Sequence, residues 1–146
     1  MKIRPIRRSE VKEVSKIVTL NYSKRYGKYA NQEIMAMFND PNCEPKYLVA
    51  EENGKIVGVA GYVQSWADYG IYEVLWVNVT PKRQREGIGK KLMVEVIKGI
   101  KKSNGKEKPK LILLTTTKPK FYSKSFGFKT LLRFGLNGYY LMALKI

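Results

Sequence analysis

The sequence predicts a mixed α/β fold: an α+β sheet, mostly antiparallel, with one parallel βαβ pair and helices on both faces. Three observations carry this. Two nearly continuous apolar runs, Val74-Leu75-Trp76-Val77 and Leu111 to Thr116, bracket a stretch with Ile88, Leu92, Val96 and Ile100 at i, i+4 spacing. That reads as strand, amphipathic helix, strand. Such a unit sets its two strands parallel and joins them by a right-handed crossover. Finally, Asn53-Gly54 stands between two further apolar runs, and both residues accept the positive φ of a type I′ hairpin turn.

The elements follow in order. Lys2 to Pro5 is short and alternating and forms the first strand. Ser9 caps a helix with Glu10 in its first turn, and Val11, Val14, Ile17 and Val18 recur at helical spacing. Tyr22, Tyr26 and Tyr29 follow around Gly27, and a second short helix spans Gln32 to Phe38, ending near Asp40-Pro41. Tyr47 to Glu51 and Lys55 to Tyr62 are the arms of the Asn53-Gly54 hairpin. Gly70 to Thr80 is the next strand, closed by Pro81, and its apolar run predicts burial on both faces. A helix from Ile88 to Lys102, a loop from Ser103 to Pro109 and a buried strand from Leu111 to Thr116 complete the βαβ unit. A short helix follows Pro119, and strands Phe128 to Phe134 and Tyr139 to Leu144 are joined through Gly135-Leu136-Asn137-Gly138. The order is β-α-α-β-β-β-α-β-α-β-β. No repeat or linker divides it, so residues 1–146 read as a single domain.

Composition narrows the chemistry. The 146 residues hold 28 Lys plus Arg against 12 Asp plus Glu, a net charge of +16, and no histidine. Ser-His-Asp and Cys-His catalysis and His-based metal sites are excluded, and no metal is expected. A general acid or base must be Glu, Asp, Tyr, Lys, a terminus or water. The single cysteine, Cys43, forms no internal disulfide and fits a reducing, cytoplasmic setting. In the loop Pro41-Asn42-Cys43-Glu44-Pro45 it has no histidine to activate it as an acyl carrier. No run approaches the ~20 apolar residues of a membrane helix, and Met1-Lys2-Ile3-Arg4-Pro5 is not a signal peptide. Acidic residues stop at Glu107. The excess of cations reads either as a solvated exterior or as a surface for phosphates and polyanions. A nucleic-acid partner is the less favoured reading, because no helix-turn-helix, zinc finger or RNA-recognition motif is present.

One basic cluster is more specific. Gln84-Arg85-Glu86-Gly87-Ile88-Gly89-Lys90 lies between a strand and an amphipathic helix. A helix N-terminus offers unpaired N–H groups and partial positive charge, and two glycines let a ligand approach the backbone. That combination suits a phosphate or pyrophosphate; it also suits an ordinary tight turn. It is neither a Walker loop nor a dinucleotide fingerprint.

Gln-x-x-Gly-x-Gly after a strand ending Val-x-Val-x-Pro resembles the acetyl-CoA signature of the GNAT superfamily of N-acetyltransferases. Phe121-Tyr122-Ser123-Lys124-Ser125-Phe126-Gly127-Phe128 resembles that family's second block, and Ile3-Arg4-Pro5-Ile6-Arg7 with Ser9-Glu10-Val11 its opening strand and helix. The likeness covers the element order of nearly the whole chain and is specific in residues over 73–91 and 115–128.

The resemblance implies a GNAT-like fold and direct transfer of an acetyl group from acetyl-CoA to a primary amine, on a small molecule or a protein. It implies that the backbone of Val77, Asn78 and Val79 holds the pantetheine arm, with the Val77 N–H or a near neighbour polarising the thioester carbonyl. Gln84, Arg85, Glu86, Gly87, Ile88, Gly89 and Lys90 would hold the pyrophosphate. Thr117 falls in the area before the second block, and Lys118, Lys120 or Lys124 would reach the adenosine phosphates. Glu73 matches the family's glutamate base, acting through water; the other reading is a strand glutamate exposed near a sheet end. Tyr122 matches the tyrosine that protonates the departing thiolate; the other reading is a core aromatic. Glu86 departs from the family pattern, which commonly has a basic or neutral residue there. Alternatives to an enzyme are an inactive acetyl-CoA-binding module and a basic nucleic-acid-binding protein.

The acceptor site is expected from the first two helices and the central hairpin region. These offer Tyr22, Tyr26, Tyr29, Met35, Phe38, Trp66, Tyr69 and Tyr72, with Asp68 as an ammonium anchor or a plain loop aspartate. The high positive charge disfavours polyamines. The C-terminal hairpin, through Tyr139, Tyr140, Leu141 and Met142, offers a homodimer surface.

Overall fold

The computed structural model describes residues 1–40 and 44–146, so Cys43 and its reading lie outside the described residues. The strands are β1 (Lys2–Pro5), β2 (Lys46–Glu52), β3 (Lys55–Gln64), β4 (Ile71–Val79), β5 (Leu111–Thr116), β6 (Lys129–Phe134) and β7 (Tyr139–Lys145). The helices are α1 (Val11–Asn21), α2 (Lys24–Asn39), α3 (Ile88–Lys101) and α4 (Pro119–Phe126), with single 3-10 turns at Arg8–Glu10 and Pro81–Arg83. The order is the one the sequence predicts. One sheet holds all seven strands in the order β1-β2-β3-β4-β5-β7-β6. Every neighbouring pair is antiparallel except β4 and β5.

Each face of the sheet buries its own core. On one face Leu92, Met93, Val96 and Ile100 of α3 pack with Tyr62, Tyr72, Val74, Ile112, Tyr122 and Phe128. On the other, Val11, Val14 and Val18 of α1 and Ala30 and Ile34 of α2 pack with Val49, Ile56 and Val59.

Three sequence expectations need correction. Ser9 does not cap α1. The 3-10 turn comes first, and the Glu10 carboxylate accepts from the Arg7 N–H at 2.8 Å and from Arg4 at 2.7 and 2.9 Å. The second helix is not short: α2 begins after Ser23, whose hydroxyl accepts from the Tyr26 N–H. Gly27 is the contact point with α1. A Cβ there would stand 1.9 Å from Thr19 Oγ1.

Third, neither apolar run of the βαβ unit is buried on both faces. In β4, Leu75, Trp76 and Val77 are half-buried, and in β5 only Ile112 and Leu114 are buried. The registers Gly61↔Leu75 and Val59↔Asn78 span two residues of β3 but three of β4. This is a β-bulge, and Trp76 takes φ 46° within it. The extra residue shifts the phase of alternation. Tyr72 and Val74 pack on the α3 side, Leu75 and Trp76 on the α1/α2 side, and Val77 and Val79 on the α3 side again. What reads as continuous apolar sequence is therefore a change of face. In the C-terminal hairpin β7 is internal, paired to β5 and β6. The edge is β6, every residue of which is exposed.

Candidate active site

β4 and β5 pair only at Ile71↔Leu111, Tyr72↔Ile112 and Glu73↔Leu113. Beyond Glu73 the two strands part. The β4 edge from Val74 onward has no β5 partner, and its backbone groups need other partners. The gap opens into a cleft of about 290 Å³. Val74 to Asn78 form one wall and Leu114 to Thr117 with Tyr122 the other; Tyr22, Tyr26, Glu33 and Tyr139 close the mouth.

The Gly-rich turn lies at the C-terminal end of β4. Arg85 takes φ 68° and Gly87 φ 81°, so two left-handed residues within three turn successive N–H groups toward one side. Gly87 is the N-cap of α3, and the Lys91 N–H makes the first helical bond, to Gly87 O at 3.1 Å. The N–H groups of Ile88, Gly89 and Lys90 therefore lack helical acceptors, and no side chain caps them. A Cβ at Gly89 would lie 3.7 Å from Phe121 and Val79, ordinary contact distance, with space above it. Glu86 does not oppose an anion here: its carboxylate accepts from Arg83 Nε at 2.7 Å, and Arg83 also pairs with Glu52 at 2.6 Å.

Gln84 holds this turn to the cleft. Its amide donates to Asn21 Oδ1 at 3.0 Å and to the Val79 carbonyl at 3.2 Å. Asn21 in turn donates to the Val79 carbonyl and to Asn78 Oδ1, both at 2.9 Å. The C-terminus of α1 is thus clasped to the end of β4.

Tyr122 is 8% exposed and faces the cleft from α4. Burial, with Tyr22 adding a smaller effect, pushes its pKa well above the ordinary tyrosine value, so it keeps its proton. The residues around it are explained by the helix end. Gly127 at φ 81° donates to Ser123 O and Phe128 to Tyr122 O, an αL-type stop. This drives Phe128 into the core, 6.0 Å from the Tyr122 ring. Tyr139 and Tyr22 are also raised, each chiefly by burial.

The structure separates the sequence-predicted residues. Val77, Asn78, Thr117 and Tyr122 line the cleft. Val79 and residues 84–90 continue it at the α3 end. Lys124 is exposed on α4 outside the lining. Glu73 is exposed and paired between Val63 and Leu113, one residue before the opening. It shares the α1/α2 face with Leu75 but does not line the cleft.

Of the acceptor set, Tyr22 and Tyr26 are at the mouth, whereas Trp66, Tyr69 and Tyr72 line a separate cavity of about 760 Å³ beside the C-terminus of α3. Asp68 is not an ammonium anchor at the cleft. It accepts from the Gly70 N–H at 2.7 Å within its own turn, which with Lys110 keeps its pKa low. Met35 and Phe38 pack on the α1/α2 core. Two residues escaped the sequence reading. Asn21 carries no local signal. Glu33 had one: Tyr22, Tyr26, Tyr29 and Glu33 stand at i, i+4, i+7 and i+11, a helical stripe.

Residues 44–130 match the acetyltransferase (GNAT) domain family. No curated protein sequence matches the chain. An aminoglycoside 6'-N-acetyltransferase complexed with coenzyme A superposes with a TM-score of 0.82 at 18% identity, over 99% of this chain and 97% of the other. A GNAT acetyltransferase from Brucella melitensis in complex with acetyl-CoA gives 0.74 at 24%, over 99% and 87%. A GNAT-family acetyltransferase from Staphylococcus aureus gives 0.77 at 18%, over 99% and 98%. At these identities the likeness is one of fold. Among the described residues no group of three or more potential metal ligands comes together, and no helix is long and apolar enough to cross a membrane.

Proposed function

Since the chain belongs to the GNAT acetyltransferase family, we propose that it transfers an acetyl group directly from acetyl-CoA to the nitrogen of a primary amine. The observation that carries this is the gap between β4 and β5, which joins an unpaired strand edge to an uncapped helix N-terminus. An extended chain bearing amides, such as pantetheine, can pair with the β4 edge over Val77 to Val79. The N–H groups from Arg85 to Lys90 suit the pyrophosphate, and Lys124 on α4 reaches the more distal phosphates. Thr117 closes the second wall.

Acetyl-CoA supplies an activated thioester; the chain's residues do the rest. Glu73, through water, takes the proton from the ammonium so that its nitrogen lone pair is free. The neutral amine adds to the thioester carbonyl, and the oxygen that gains charge is held by a β4 N–H at or near Val77. The C–S bond breaks as the buried Tyr122 hydroxyl donates its proton to the sulfur, and the nitrogen, still carrying one proton more than the amide keeps, returns that proton to the tyrosine oxygen through water. The products are the N-acetyl amine and free thiol.

Calorimetry with acetyl-CoA, with desulfo-CoA and ATP as comparison ligands, tests the cofactor. Selective binding followed by amine-dependent thiol release supports the reading. A folded protein that does not bind acetyl-CoA refutes it.

A further inference from the structure

The geometry points to Glu33 as the anchor for the acceptor's ammonium group, inside an aromatic box that selects a compact monocationic amine on an apolar or aromatic carrier. This deepens the acetyltransferase reading and rests on it. Glu33 is the one carboxylate among the described residues lining the cleft. Its Oε2 accepts from the Trp76 indole N–H, which fixes the side chain and leaves Oε1 for a ligand. Two independent features bring this pair together. The helical stripe of α2 puts Tyr26 and Glu33 beside its buried face, at the mouth of the cleft, and the β4 bulge turns Trp76 to the α1/α2 side.

The box is built of π-faces. Tyr26 lies 5.7 Å from Tyr22 and 6.4 Å from Trp76, ring centroid to centroid. Such faces attract a cation, and a nearby carboxylate adds a charge-assisted hydrogen bond. The box has a single negative charge in a chain of net charge +16, so a second ammonium on the acceptor would find repulsion and no partner. The cleft of about 290 Å³ also receives the thioester end, so the carrier must be small. Glu33 is thereby a binding residue for the acceptor, distinct from Glu73 as the base.

The test uses the intact protein with 2-phenylethylamine as acceptor and its quaternary counterpart, trimethyl(2-phenylethyl)ammonium, as an unreactive probe. Glu33→Gln should raise KM for 2-phenylethylamine by about 10- to 100-fold, the loss of one charge-assisted contact. It should leave kcat within a few-fold and acetyl-CoA binding unchanged. Trp76→Phe, which keeps the ring but removes the N–H, should raise KM less. Spermidine should be a poor substrate, and 2-phenylethanol should not inhibit. The quaternary probe, which has no N–H to donate and senses only the charge and the rings, should bind the protein without acetyl-CoA present and bind several-fold more weakly in Glu33→Gln. If KM is unchanged in Glu33→Gln, or kcat alone falls, or the probe binds equally well to both proteins, the inference is wrong. Failure of acetyl-CoA to bind would refute the acetyltransferase reading instead, and the probe still decides the anchor.

Discussion

At position 89 an added methyl group would meet only Phe121 and Val79, each at 3.7 Å. Internal packing therefore does not require glycine inside α3, where alanine is favoured by about 1 kcal/mol. Gly89→Ala should hold or raise the melting temperature while weakening acetyl-CoA binding, because the methyl enters the space above the free N–H groups. Gly87, at φ 81°, should behave differently: Gly87→Ala should cost roughly 1–2 kcal/mol in denaturant unfolding. Tyr122, its pKa raised by burial, should remain a proton donor throughout the alkaline range in which an ordinary tyrosine ionises. The kcat profile should thus show no alkaline loss near the ordinary tyrosine pKa, and Tyr122→Phe should lower kcat on the order of 10²-fold with acetyl-CoA affinity kept. At this scale the sequence was most legible where function is local. Residues 84–90 and 121–128 are contiguous, so their motifs can be read in one line. Glu33 meets Trp76, and Asn21 meets Asn78, across separations of 43 and 57 residues, which no spacing rule reaches.

Elements were legible where periodicity is clean and obscured where a contact overrides it. The Asn53-Gly54 hairpin and α3 follow their patterns, whereas α2 begins at Lys24 and not at Gln32, where the sequence places it, and Gly27 lies inside it. Its role is close approach. Gly27→Ala should destabilise by about 1–3 kcal/mol through the clash with Thr19. Adding Thr19→Ala should recover part of the loss, a coupling that a double-mutant cycle measures. The N-terminal elements are tied by charge. Arg4 bridges Glu10 and Glu51, and hydrogen bonding to Arg4 lowers the Glu10 pKa. A lowered carboxylate pKa contributes stability that is complete above its unfolded value and vanishes as pH falls through the folded one. Melting temperatures of Glu10→Gln and the parent should therefore differ at neutral pH and converge in acid.

Over the whole molecule, charge and architecture divide together. From Lys108 to the C-terminus the chain has no acidic residue, and this stretch supplies β5, α4 and β7, the second wall of the cleft. Acetyl-CoA affinity should accordingly fall as salt rises from 50 to several hundred mM, roughly the range over which surface fields are screened; a salt-independent affinity would mean that the phosphates avoid this wall. Element order and sheet class were readable because they follow from local pattern. The parting of β4 and β5 was not, since it depends on where two strands 40 residues apart (Glu73 and Leu113) cease to pair. The bulge in β4 makes residue count a carrier of information in its own right. Deleting one residue between Leu75 and Asn78 would only iron out the bulge, whereas inserting one between Trp76 and Val77 would turn Val77 and Val79 to the opposite face and push the turn at 84–90 about 3.3 Å along the strand axis. The same insertion between Ser103 and Pro109 would only lengthen a loop. The strand thus tolerates exchange of its letters far better than a change in their number.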